Sequence, residues 1–106
     1  MATGRLGVAD LAATTNTVIY TVPASYYGIA TVSFCNRNAT DVTVRLAAAA
    51  ANTPANSEFL EFDAAISGGS VLERTGIVLD AGKRIVVYSS NSNVSVVVFG
   101  IETLAI

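Results

Sequence analysis

Few residues in this chain have the type and spacing needed for catalysis. Glu61 and Asp63 lie two residues apart, so on an extended chain both carboxylates project from one face, as paired-acid catalysis requires. Two neighbouring acids are more often a solvated strand face. The chain contains no histidine, the commonest general base and metal ligand. We therefore predict a protein without catalytic residues, and not an enzyme.

The candidate nucleophile and base are equally isolated. Cys35 lies two residues before Arg37, whose charge could activate a thiol, but strand alternation favours a packed small residue at this position. Lys83 is the one lysine and belongs to no recognisable catalytic motif. Because Cys35 is the only cysteine, the fold contains no intrachain disulfide.

Metal and phosphate sites are not indicated. Glu58, Glu61 and Asp63 offer oxygen ligands, but no calcium-loop spacing gathers them, so structural charge is the better interpretation. One cysteine without histidine cannot complete a zinc shell. Gly68 and Gly69 precede no lysine or helix that would bind phosphate, and indicate a turn. We predict no metal and no cofactor.

The composition suggests an assembly subunit. The 106 residues fit one domain, and 52% of them are hydrophobic while only 13% are charged. With so few charges, a monomer of this size has difficulty covering its own surface, so we expect a homo-oligomer, with a trimer favoured. The net charge of −2, without a basic cluster, argues against nucleic acid as a partner. No apolar run approaches the ~20 residues that cross a bilayer, which argues against a membrane.

Alternating apolar and polar residues dominate the chain, so strands must position every side chain considered above. Seven runs of this kind, separated by turn residues, predict an all-β antiparallel β-sandwich, jelly-roll or immunoglobulin-like, with seven to eight strands and possible barrel character. We assign residues 1–15 to an N-terminal arm and 16–106 to a single sandwich domain. Residues 2–13 and 102–106 fit no clear element. The runs are 17–22, 30–35, 42–46, 58–63, 71–79, 85–88 and 94–101.

Three local features refine this prediction. Gly76 interrupts the run 71–79 and is typical of a β-bulge. The alanine-rich segment 47–51 directly continues a strand, so we expect no proper helix there. The runs 85–88 and 94–101 are apolar at odd and even positions alike, which predicts strands covered on both faces.

Several segments of the sequence resemble a family of small virion structural proteins of tailed bacteriophages, cyanophages among them. The similarity runs through most of the chain and includes no catalytic motif. The similar segments are Leu6–Thr17, Tyr20–Ala24, Cys35–Arg37, Val42–Ala47, Leu72–Gly76 and Leu79–Lys83.

The resemblance implies a non-enzymatic component of the virion, assembled in the host cytoplasm. The leading hypothesis is a capsid decoration or cement protein that binds and stabilises capsomers, with the major capsid protein as partner. The alternative is a tail or baseplate accessory protein that binds tail proteins, attaches fibres or contacts the host surface. For the assembly interface we select Arg5, Leu6, Tyr26, Tyr27, Glu73, Arg74, Leu104 and Ile106.

Overall fold

The computed structural model describes residues 2–105, which form eight strands and one short 3-10 turn at Asn56–Glu58. Their β-branched and aromatic content suits a pleated, half-buried surface. The strands are β1 Thr3–Leu11, β2 Thr17–Thr21, β3 Tyr26–Asn36, β4 Val42–Ala49, β5 Phe59–Ile66, β6 Val71–Leu79, β7 Arg84–Ser89 and β8 Val94–Leu104.

The strands make two four-stranded antiparallel sheets. Sheet I has the order β1-β8-β3-β6, and sheet II has the order β2-β7-β4-β5. The pairs β1–β8, β2–β7, β3–β6 and β4–β5 are nested as in one long hairpin wrapped on itself, which is the jelly-roll arrangement. The predicted all-β antiparallel sandwich is confirmed, and the strand order selects the jelly roll over the immunoglobulin-like alternative. Within residues 2–105 the sheets do not close into a barrel.

The core lies between the two sheets and is built by every second residue of the central strands. Phe34 of β3 and Leu46 of β4 are fully buried in it. Burying a side chain of this size contributes about 2–3 kcal/mol, so the interior supplies most of the stability of the fold. The other large buried members are Val22, Val32, Val44, Ile85, Val87, Val94, Val96 and Val98.

The N-terminal segment is part of the sandwich. Residues 3–11 form β1, the edge strand of sheet I, paired with β8 from Thr3–Ile101 to Leu11–Val94. The prediction that residues 2–13 fit no element is therefore wrong for these nine residues, and an arm extending to residue 15 is corrected accordingly. A register shift between Arg5 and Gly7 interrupts the alternation, which explains why periodicity missed the strand.

The predicted bulge at Gly76 and the absence of a helix after β4 are both confirmed. The β3–β6 register shifts between Ala30 and Val32, so that Thr75 and Gly76 together oppose one residue. Gly76 has φ +72°, a left-handed conformation that favours glycine. Residues 47–49 continue β4 as an extended chain.

The two strands predicted to be covered on both faces differ. In β7, Ile85 and Val87 face the core, and Val86 is buried on the other side against Ala47, Ala49 and Phe59, as predicted. In β8, only the residues facing sheet II are buried, while Phe99 and Ile101 on the opposite face are 39% and 44% exposed. The prediction for β8 is wrong because an apolar strand face does not reveal whether the same chain covers it.

Candidate functional site

The uncovered side of sheet I is the most distinctive surface of the molecule. Directly opposed residues of an antiparallel ladder point to the same side, so the register of β3 and β8 defines this outer face of sheet I. All ten of its residues on these two central strands are uncharged. They are Tyr27, Ile29, Thr31, Ser33 and Cys35 on β3, and Ser95, Val97, Phe99, Ile101 and Thr103 on β8.

The edge strands extend this apolar surface. Val8 of β1 lies opposite Val97, and Val78 of β6, which is 66% exposed, lies opposite Ile29. Among residues 2–105, ten large apolar side chains are exposed, and seven of them share this one face. Contiguous apolar surfaces of this kind are typical of sites where proteins contact other molecules. The seven are Val8, Tyr27, Ile29, Val71, Val78, Phe99 and Ile101.

Charges occur on this face only at its two edges. Arg5 of β1 lies opposite Phe99, and Glu73 of β6 lies opposite Ser33. Asp10, also on β1, accepts a hydrogen bond from the guanidinium of Arg37. Within the described chain neither Arg5 nor Glu73 has an ion-pair partner. The face therefore has an unpaired cation along one edge and an unpaired anion along the other.

The outer face of sheet II carries a cluster of aromatic and charged side chains. The guanidinium carbon of Arg45 lies 4.2 Å from the ring centroid of Phe62 and 4.4 Å from that of Tyr88. Phe62 in turn packs edge-on against Phe59, with the ring centroids 5.0 Å apart. Asp63 accepts a 2.7 Å hydrogen bond from Arg45 and raises the pKa of that guanidinium above its usual range. This aromatic and ionic cluster leaves sheet II with a mixed, polar exterior.

The two acids that could have formed a catalytic pair are separated. Two residues of β5, Phe62 and Asp63, oppose the single residue Arg45, and Asp63 has φ +52°. The prediction that Glu61 and Asp63 share a face is wrong because this bulge turns the chain between them. Glu61 accepts a 2.7 Å hydrogen bond from Arg74 on β6, whereas Asp63 is bound to Arg45.

The remaining chemically interesting side chains have structural partners or lie on the apolar face. Lys83 donates to Asp80 at 3.1 Å across the β6–β7 turn and lowers the pKa of that carboxyl. Cys35 is half-buried on the outer face of sheet I, so the packed small residue expected at this position is only partly covered. In the described part of the chain no acidic or sulfur cluster could hold a metal ion, and no ligand-sized cavity is present. No helix among these residues could span a bilayer.

The predicted interface residues are only partly brought together. Arg5, Tyr27 and Glu73 lie on the outer face of sheet I. Leu6 and Tyr26 instead pack against the core, so the two adjacent tyrosines do not form a joint surface.

Two further predicted residues lie at the periphery of the sandwich, and one cannot be placed. Arg74 bridges the edge strands β6 and β5 through Glu61. Leu104 is exposed at the end of β8, opposite Tyr26. Ile106 lies outside the described residues.

Sequence reasoning missed most of the apolar face. Val8, Ile29, Val71, Val78, Phe99 and Ile101 were not selected, although apolar residues at the odd positions 97, 99 and 101 were a usable signal. That signal indicated a covered face but not which protein covers it. Comparison with known proteins found no matching family model, no matching curated protein and no matching solved structure. The resemblance to phage virion proteins therefore stays a prediction.

Proposed function

We propose that this chain is a non-enzymatic assembly subunit of a tailed-phage virion, and specifically a capsid decoration protein. The single observation that carries the proposal is the outer face of sheet I, where seven large apolar side chains are exposed together. Leaving this area in water costs free energy, so a soluble particle component that folds this way gains stability by docking. The phage assignment is drawn from the sequence resemblance alone.

The fold is compatible with the proposal but does not select it. Jelly rolls occur in viral capsid proteins, lectins and cupins, and a fold alone does not specify a function. A cupin-type metal site would require histidines, which this sequence lacks. A lectin site would require polar side chains converging on a concave surface, whereas the exposed face of sheet I has hydrophobic side chains and small hydroxyls.

In this proposal the subunit stabilises the capsid by mass action. Every contact made only by the folded, assembled state favours that state, so many weak contacts repeated over the shell add up. The major capsid protein is the favoured partner. The alternative proposal, a tail or baseplate adaptor, differs in symmetry and copy number.

Quantitative mass spectrometry of virions purified from the encoding phage tests the proposal. A decoration protein is expected on the order of hundreds of copies per particle, in fixed ratio to the major capsid protein, whereas a tail adaptor is present in a few rings. Capsids stripped of the chain should lose thermal stability and recover it when purified chain is added back. Absence of the chain from washed virions would refute both assignments.

A further inference from the structure

We infer that the outer face of sheet I is covered by a second copy of this chain, packed face to face about a two-fold axis parallel to the strands. This inference deepens the proposed function and rests on it only in treating the face as an assembly surface. Four observations carry it: the area of the face, the placement of its charges, the sizes of the side chains on its central strands, and the absence of ion-pair partners for Arg5 and Glu73 among residues 2–105.

The area is sufficient for a specific dimer. With strands about 4.8 Å apart and same-face residues about 6.8 Å apart along each strand, the face covers about 500 Å². Two copies packed together therefore bury about 1,000 Å² in total, the lower limit for a specific interface. Burial of the apolar centre and exposure of the charged edges matches the usual division of an interface into core and rim.

The charges select the direction of the two-fold axis. Sheet I has the order β1-β8-β3-β6, so an axis parallel to the strands places β1 of one copy over β6 of the other. Arg5 then lies near Glu73 of the second copy, one cross-strand row or about 6.8 Å along the strand, which a long arginine side chain can span. Asp10 lies one row to the other side of that Glu73, but its charge is already paired with Arg37. The symmetry repeats this contact, so both unpaired charges of each copy are matched.

A two-fold axis perpendicular to the strands does the opposite. When it passes between the rows of Val97 and Phe99, it places β1 over β1 and β6 over β6, so that Arg5 lies one row from Arg5 and Glu73 one row from Glu73. Like charges facing each other across an interface are unfavourable. The parallel axis is therefore preferred on charge alone.

The sizes of the outward side chains on the two central strands also favour the axis parallel to the strands. On β8 the outward residues Val97 and Phe99 are large, and the β3 residues directly opposite them, Ser33 and Thr31, are small. The parallel axis places β8 of one copy over β3 of the other, so in these two rows large side chains meet small ones. The perpendicular axis would stack β8 on β8, so that Val97 and Phe99 meet large side chains. Aligned sheets pack about 10 Å apart only when their side chains interdigitate in this way.

A charge exchange tests the pairing directly. The full chain is measured by sedimentation velocity and light scattering over a concentration series. We expect a dimer for the wild type, and a dimer dissociation constant raised about tenfold or more by Arg5→Glu or Glu73→Arg. The double variant, Arg5→Glu with Glu73→Arg, should restore the wild-type constant. Asp41→Arg, which makes the same charge change as Glu73→Arg in the exposed β3–β4 loop, is the matched control and should have no effect.

A second pair of variants tests the apolar centre. Ile101→Asp places a charge beside Ile29 of the partner copy and should give monomers, whereas Val18→Asp, on the exposed surface of sheet II, should leave the dimer intact. Far-UV circular dichroism and thermal unfolding confirm that each variant is folded. The inference would be overturned if the wild type were a monomer or a trimer. It would also be overturned if neither Ile101→Asp nor the charge exchange changed the dimer dissociation constant.

Different experimental results would refute the self-pairing and the proposed virion function. If the chain is a monomer alone and Ile101→Asp abolishes its add-back to stripped capsids, the face binds capsid protein and the self-pairing is refuted while the decoration role stands. If the charge exchange rescues a dimer but the chain is missing from virions, the pairing stands and the virion role is refuted.

Discussion

The hydroxyl of Tyr20 donates a 2.7 Å hydrogen bond to the carboxylate of Glu102, and this bond joins the two sheets through the interior. Tyr20 belongs to β2 of sheet II and Glu102 to β8 of sheet I, and both are less than a tenth exposed. The second carboxylate oxygen of Glu102 accepts a 3.0 Å hydrogen bond from the backbone nitrogen of Ala2. Gly28, opposite Glu102 on β3, leaves the space that the tyrosine hydroxyl occupies.

Replacing the tyrosine hydroxyl is expected to destabilise the fold. Tyr20→Phe keeps the ring in the core but removes a donor from a buried carboxylate, at a cost of about 2 kcal/mol in the free energy of unfolding. Urea denaturation followed by circular dichroism measures the change. Tyr88→Phe, which removes a hydroxyl with no hydrogen bond among the described residues, should be close to neutral. Equal effects from the two variants would contradict the role of the Tyr20–Glu102 bond.

The same pair predicts a loss of stability at high pH. Burial, followed by the hydrogen bond to Glu102 and its charge, raises the pKa of Tyr20 well above that of a free tyrosine. Above about pH 10 the unfolded chain loses this proton more readily than the folded chain. The contribution of this pair to the free energy of unfolding should therefore be constant below about pH 10 and fall as the pH rises further.

Urea midpoints between pH 8 and pH 11 measure this dependence. Tyr20→Phe should be less stable at pH 8 but should have a shallower decline above pH 10, because the titrating group is gone. Wild type and variant declining in parallel would show that another group is responsible.

Asn36, the last residue of β3, is expected to be the most sensitive polar residue at this end of the sandwich. Its fully buried amide nitrogen donates to the carbonyls of Thr40 and Ile66 at 2.9 and 3.0 Å, and its amide oxygen accepts from the backbone nitrogen of Asn38 at 2.9 Å. Asn36→Ala should cost about 3 kcal/mol, because buried backbone groups of two loops lose their partners. Asn16→Ala, at an exposed turn position, is the control and should change the urea midpoint little.

A methyl group at Gly100 is expected to disrupt sheet I. A Cβ there would lie 2.0 Å from the carbonyl oxygen of Ile29 on β3, so the backbones of β3 and β8 would have to separate. Gly100→Ala should destabilise the fold by about 3 kcal/mol or more. Gly69→Ala is the control, since Gly69 has open space around its Cα and its φ of +74° is the only source of strain there. If Gly69→Ala cost as much as Gly100→Ala, the contact with β3 would not be needed to explain the loss of stability.

Much of the fold could be predicted from local patterns. Period-two alternation located seven of the eight strands, because a strand with one face in the core must alternate. Gly76 indicated its bulge, because a missing side chain is itself a local signal. Strand β1 was missed because Arg5, Leu6 and Gly7 break the alternation at an edge. The bulge at Asp63 was missed because it contains no glycine, and so the two acids of β5 were wrongly placed on one face.

The sequence by itself determined an apolar β-protein of low charge with seven recognisable strands, since composition and periodicity are properties of neighbouring residues. Only the tertiary structure decided the jelly-roll order, the separation of Glu61 from Asp63, and the gathering of Val8, Ile29, Phe99 and Ile101 on one uncovered face. Those residues come from three strands far apart in the chain, and hydrogen-bonded register alone makes them neighbours. Burial of an apolar side chain is favourable whatever buries it. The packing of distant strands determines whether residues of the same chain do so.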